Sequence, residues 1–94
     1  MVKTILGDCL EVLPTIEDNS VDMLLADLPY GTTACKWDSV IPLDKLWEQY
    51  DRVCKKNAAM VFTAMQPFTT ILAASNIENL RYEWIWEKPQ GTNP

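Results

Sequence analysis

Val21-Asp22-Met23-Leu24-Leu25-Ala26-Asp27 is a nearly continuous apolar run that passes directly into Leu28-Pro29-Tyr30-Gly31. Its length suits a strand, and apolar residues on both parities suit a strand buried on both faces of a parallel sheet. Pro29 biases Leu28 toward an extended conformation, so the chain turns away from the strand immediately after Asp27. An acid, a restricted turn and an aromatic ring thus fall at a strand's carboxyl end, where open α/β sheets bind their ligands.

Working outward, strand and helix patterns alternate. Val2 to Leu6 is a short β-branched-rich run stopped by Gly7-Asp8, which predicts a first strand. Asp8 can cap a short helix reaching Leu13, with Glu11 placed for a capping-box contact and Pro14 following. Leu43, Leu46, Trp47, Tyr50, Val53 and Cys54 recur at helical spacing after Pro42. Ala58 to Thr63 reads as another buried strand, and Gln66-Pro67 opens a helix marked by Phe68, Ile71 and Leu72. Tyr82, Trp84 and Trp86 alternate with Glu83, Ile85 and Glu87, which predicts a last strand whose aromatic side either packs in the core or offers stacking to bases. The expected fold is therefore α/β, a doubly wound, mostly parallel sheet with right-handed crossovers. Asp8, Asp27 and the Thr63 to Pro67 segment would then meet along one sheet edge.

Bulk properties narrow the function. The chain has 94 residues, enough for one small domain and too few for two, and 48% apolar content argues against disorder. No apolar run approaches the ~18 residues of a membrane span, and the N-terminal run is too short for a signal peptide. Cys9, Cys35 and Cys54 show no CxxC spacing and histidine is absent, so neither zinc nor a disulfide framework is expected. A reducing cytoplasm is the natural setting. The net charge of −5 has the wrong sign for gripping nucleic acid by its phosphates, and only Lys55-Lys56 are adjacent bases. If DNA is a partner, most phosphate contacts must come from other segments. Gly7, Gly31 and Gly91 lie far apart, so no glycine-rich cofactor loop can be assembled from them.

The residues at Asp27 suit chemistry on an exocyclic amino group. The amino nitrogen of adenine or cytosine is a poor nucleophile because its lone pair is delocalised into the ring. Two acceptors placed on its two N–H bonds would draw it toward tetrahedral geometry and free that pair. The Asp27 carboxylate can be one acceptor and the Leu28 carbonyl the other, while Tyr30 offers a face on which an extruded base can stack. No strong general base is needed, because the nitrogen loses its proton readily once methylated. Against this stands a plain strand-ending turn with a buried tyrosine. Asp, Asn or Ser followed by any residue, proline and an aromatic arises by chance in about one chain in twenty of this length, so the four residues alone leave both readings open.

Their surroundings add a resemblance. Leu6-Gly7-Asp8-Cys9-Leu10-Glu11-Val12-Leu13, Asp18-Asn19-Ser20-Val21-Asp22 and Asp27-Leu28-Pro29-Tyr30-Gly31 are similar to the opening of amino-group DNA methyltransferases. The likeness is to the class whose catalytic motif precedes the cofactor loop. It continues through Lys36-Trp37-Asp38, Gln66-Pro67-Phe68 and Trp84-Ile85-Trp86-Glu87-Lys88, and so covers almost all of residues 1–94. The resemblance implies a Rossmann-like fold and transfer of a methyl group from S-adenosylmethionine to adenine N6 or cytosine N4 in DNA, as in restriction-modification. It places the catalytic motif on Asp27, Leu28, Pro29 and Tyr30, and the approach to the cofactor on Asp8 and Cys9.

Two departures qualify that expectation. The family usually carries two prolines after the acid, and Leu28 replaces the first, removing the proline lock on its φ. A looser site is expected, with its chemistry intact. The family's FxGxG loop, ribose-binding acid and target-recognition region would lie further along than residue 94. In the family's sheet, moreover, the strands matching Val2 to Leu6 and Val21 to Asp27 are separated by two strands from that later part. A homodimer or a complementary C-terminal fragment is therefore the expected partner. The alternatives are a non-catalytic remnant or interaction module, or methylation of RNA or a protein amide. For the other residues the readings divide. Asp8 is equally a plain helix cap, Gln66-Pro67 equally a helix start, and Lys36-Trp37 either a DNA contact or a solvated lysine beside a packing tryptophan.

Overall fold

A computed structural model of the chain describes residues 2–31 and 39–89, which leaves the Lys36-Trp37-Asp38 segment outside the described residues. The order is helix α1 (Cys9–Val12), a 3-10 turn (Leu13–Thr15), strand β1 (Val21–Asp27), helix α2 (Leu43–Val53), strand β2 (Cys54–Thr63), helix α3 (Phe68–Ser75) and a 3-10 turn (Ile77–Asn79). β1 and β2 form a two-stranded parallel sheet joined through α2, so the chain is α/β.

β1 has the bounds its apolar run predicts. Asn19, at φ 53°, and Ser20 lead into it, and their N–H groups donate to Arg52 and Val53 carbonyls at 2.9 and 2.8 Å. A left-handed residue before the strand suits asparagine better than any β-branched side chain. α2 turns its Leu46, Tyr50 and Val53 inward, the i, i+4, i+7 stripe of an amphipathic helix. Cys54 at its end is already extended, at φ −80° and ψ 142°, so helix passes into strand without a loop.

The ladder pairs Leu24 with Met60, Leu25 with Val61, Ala26 with Phe62 and Asp27 with Thr63. It is irregular at its start, where a two-residue step in β1 (Val21 to Met23) is matched by a five-residue step in β2 (Cys54 to Ala59). The predicted strand from Ala58 to Thr63 is therefore the regular part, and Cys54 to Asn57 form an extension that their polarity hides. α3 begins after a cis Gln66-Pro67 bond, with Gln66 Oε1 accepting from Thr70 N at 3.2 Å and Oγ1 at 2.8 Å. That side chain is engaged at the helix start, as one of its two readings held.

The core lies on one face of the sheet. Leu13, Leu28, Leu46, Tyr50, Phe68 and Leu72 are buried together, and Leu24, Ala26, Met60 and Phe62 pack against them from the strands. Trp47, Tyr50 and Phe62 meet as a ring cluster with centroids 5.3 to 6.1 Å apart. Trp47 Nε1 donates to Ser75 Oγ at 2.8 Å, tying α2 to α3. Arg52 holds the preceding segment on α2 by donating to the Leu13 carbonyl at 2.7 Å and the Ile16 carbonyl at 2.8 Å, and by pairing with Asp18 at 2.6 Å.

Three expectations are corrected. β1 is not buried on both faces: Met23, Leu25 and Val61, on the face opposite the helices, are exposed. Val2 to Leu6 form no strand and are exposed. Residues 80–88 likewise form no strand, and Tyr82, Trp84 and Trp86 are 73, 84 and 82% exposed, so the aromatic side is outside the core. Period-two patterning supplies a side chain for each face but no neighbouring backbone. A strand forms only where another strand satisfies its N–H and C=O groups.

Candidate functional site

The parallel register brings Asp27 and Thr63 side by side at the carboxyl ends of β1 and β2. Both belong to the sheet face that the helices leave uncovered, beyond Met23, Leu25 and Val61. Thr63 Oγ1 donates to Asp27 Oδ1 at 2.5 Å, and Tyr30 Oη donates to Thr63 Oγ1 at 3.3 Å. The directions follow from chemistry: an ionised carboxylate only accepts, so the threonine proton goes to Asp27 and its lone pair receives the tyrosine proton. The charged acceptor makes the threonine–carboxylate bond the stronger of the two.

The turn that carries these groups is anchored from both ends. Leu28 is 8% exposed and belongs to the core cluster, so burial of its side chain restrains the residue that lacks the proline lock. The Tyr30 ring stacks on Phe68 with centroids 5.4 Å apart and planes at 28°, and Phe68 itself is 1% exposed. The tyrosine is thus held at its hydroxyl and on its ring while remaining half-buried. Gly31 then takes φ 76°, a left-handed turn that glycine makes without strain. Asp27, Leu28 and Tyr30 are therefore assembled as one unit with Thr63, and Pro29 shapes the turn between them. Thr63 is the residue that sequence reasoning placed at this edge without a role, because its role depends on the register.

Asp8 and Cys9 are placed differently. No strand delivers Asp8 to the sheet edge. Its Oδ1 accepts from Leu10 N at 2.9 Å and its carbonyl from Glu11 and Val12 N, the contacts of a helix cap. Cys9 packs against the core, where burial first and the Asp8 carboxylate second push its thiol above the usual range. Burial likewise raises the Cys54 thiol, with Asp51 adding to it. Burial, with Cys9 and Cys54 next, pushes the Tyr50 hydroxyl up to about 12.

These residues do not cradle S-adenosylmethionine by themselves. The Asp8 carboxylate is engaged at a helix start, and Gly7 has no glycine neighbours with which to build a close-approach loop. Among the described residues no group of three or more His, Cys, Asp or Glu is arranged to hold a metal. No described helix is long and apolar enough to cross a membrane. No protein-family model, curated protein or solved structure matches the chain.

Proposed function

We propose that this chain is the target-base half of a DNA amino-methyltransferase, acting on adenine N6 or cytosine N4. The observation that carries the reading is the hydrogen-bonded set of Asp27, Thr63 and Tyr30 at the carboxyl ends of two parallel strands. Such a placement suits a Rossmann-like sheet of which β1 and β2 are the adjacent central pair. Asp27 accepts one N–H of the target amino group and the Leu28 carbonyl the other, which frees the nitrogen lone pair from the ring. Tyr30, braced by Phe68, stacks on the extruded base. S-adenosylmethionine, when bound, supplies the electrophilic methyl group. Its pocket belongs on this reading to residues outside the described half-site, from a second copy or a complementary fragment, with Asp8 and Cys9 at its margin.

The test is methyl transfer from tritiated S-adenosylmethionine to duplexes and single strands containing all four bases, followed by nucleoside analysis. N6-methyladenine or N4-methylcytosine, lost in Asp27→Ala, is the expected result. Calorimetric titration of S-adenosylmethionine into the chain, alone and at concentrations that drive self-association, locates the donor pocket. A label appearing in RNA or in a protein amide would move the substrate and leave the acceptor geometry in place.

A second reading has its own support. A net charge of −5 and the uncovered apolar side of the sheet favour a non-catalytic module that docks on another polypeptide. Absence of methyl transfer together with tight association to a protein partner would establish it.

A further inference from the structure

The Thr63 and Tyr30 hydroxyls both direct their protons toward Asp27. The Tyr30 proton goes to Thr63 and the Thr63 proton to Asp27 Oδ1, so this chain of bonds ends on a group that only accepts. What the cluster presents outward is acceptor capacity, chiefly the second carboxylate oxygen. A substrate group that donates N–H finds a partner there, whereas a carbonyl oxygen meets an acceptor and is repelled.

Resting on the reading above, we propose that Thr63 is a positioning and specificity-determining residue that makes the site select amino bases over keto bases. Thr63 does so in two ways. It fixes one oxygen of Asp27, which leaves the other free to accept from the substrate beside the Leu28 carbonyl. It also occupies the Tyr30 hydroxyl, which otherwise would offer a proton to a keto oxygen in the same place. Three features of the fold make this assignment specific to Thr63. It stands opposite Asp27 in the ladder, so the contact is set by backbone register. Its β-branched side chain is stiff about χ1, which holds the hydroxyl in one direction. And Tyr30 is fixed on Phe68, so its hydroxyl stays within reach.

The keto counterparts of the two amino bases present an exocyclic acceptor in place of the amino donors and carry a proton on the adjacent ring nitrogen. Hypoxanthine replaces the 6-amino group of adenine by oxygen, and uracil replaces the 4-amino group of cytosine. The discriminating experiment uses duplexes in which adenine or hypoxanthine stands opposite an abasic position, so that extrusion of the base costs little. Binding is measured by fluorescence anisotropy for the wild-type chain, Thr63→Val and Thr63→Ser, with cytosine and uracil as the parallel pair. The wild type is expected to prefer the amino base by about tenfold or more. Thr63→Val, which keeps the shape and removes the hydroxyl, should collapse that preference, mainly by gaining affinity for the keto base. Thr63→Ser should keep most of it.

An amino preference that survives unchanged in Thr63→Val overturns this proposal and leaves the methyltransferase reading standing. A wild type that binds neither base of a pair, or both equally, overturns the two together. Carbon-13 resonances of the Asp27 carboxyl and the Tyr30 phenol carbon, recorded without nucleic acid, guard against a folding artefact. Both should shift in Thr63→Val and stay near their wild-type positions in Thr63→Ser, with the rest of the spectrum unchanged. If neither responds to loss of the hydroxyl, the bond network is absent in solution and the proposal falls whatever the binding data show.

Discussion

Two parts of this chain carry equally strand-like sequence and meet different fates. Val21 to Asp27 becomes β1, while residues 80–88, with stricter alternation, stay outside any sheet. β1 has a parallel neighbour, delivered by an amphipathic helix whose Leu46 and Val53 are each 1% exposed. The 80–88 segment has no such neighbour among the described residues, and its tryptophans remain in solvent. Hydrophobic burial of a crossover helix brings two strands together, and the ladder of hydrogen bonds then follows. Pattern decides which face of a strand is apolar. Whether a strand exists is decided by what lies beside it.

The comparison breaks most sharply at Phe68. This ring is fully inside the core and also supports Tyr30, so it joins packing to the candidate site. Phe68→Ala should destabilise the fold by about 3–5 kcal/mol through lost burial and a residual cavity. Urea unfolding followed by near-ultraviolet circular dichroism measures this. A loss under 1 kcal/mol would mean that the α3 side of the core is not packed in solution.

Alkaline pH probes the same packed region through Tyr50. Its folded value lies near 12 against an ordinary 10.0, so the neutral hydroxyl is the form that folding favours. The stability this confers is complete below pH 10 and is lost as pH rises through about 12. The loss amounts to about 2–3 kcal/mol, because the unfolded chain releases the proton first. Cys9 and Cys54, both raised from 9.0, act in the same direction and begin earlier. Tyr50→Phe should flatten the upper part of the alkaline unfolding curve and leave the thiol part. An identical curve in wild type and variant would place the Tyr50 hydroxyl in water.

Much of the packed region was legible in the sequence, for local reasons. The ends of β1 follow from Ser20 and Pro29, and the starts of α2 and α3 from Pro42 and Gln66-Pro67, where proline chemistry and helical spacing coincide. The cap at Asp8 was legible on the same grounds. What stayed hidden depends on long-range pairing. Lys55-Lys56-Asn57 fell between the helical pattern ending at Cys54 and the strand expected from Ala58, yet they extend β2 because Cys54 leaves the helix already extended. Leu28 read as a weakened turn residue, and its place in the core required knowing where Leu46 and Phe68 would stand. Thr63 was visible as a strand end only. Its bond to Asp27 depends on a register that no local signal carries.

Arg52 sharpens the comparison from the other side, by asking how a segment without a strand is held. It binds the Leu13 and Ile16 carbonyls, Asp18 and Gln49, fixing the 3-10 turn and the approach to β1 on α2. Arg52→Ala should cost about 1–3 kcal/mol, because two part-buried carbonyls lose donors. The exposed Lys55–Asp22 pair, at 2.6 Å, lacks such carbonyls and should be worth about 0–1 kcal/mol. Arg52→Lys should recover little, since one ammonium cannot reproduce the fork that reaches both carbonyls. Equal losses in Arg52→Ala and Lys55→Ala would show that the clamp adds nothing beyond its ion pair.

The smallest effect expected is also the most direct test of the contrast. Trp84 is 84% exposed, and its ring neighbours Tyr82 at 6.0 Å in a near-parallel pair. Trp84→Ala should change stability by no more than about 0.5 kcal/mol, the range of ordinary surface positions. Backbone amides from 80 to 88 should exchange orders of magnitude faster than those of Leu24 to Ala26, because no ladder protects them. Raising the protein concentration supplies the decisive arm. If a second copy provides the missing strand, exchange at 80–88 should slow and the Trp84 emission should shift to the blue as association proceeds. Trp84→Ala should then weaken association while leaving the unfolding of the dilute chain untouched. Slow exchange in dilute solution would instead mean that the segment already lies on the uncovered face of its own sheet, and the contrast between the two regions would disappear.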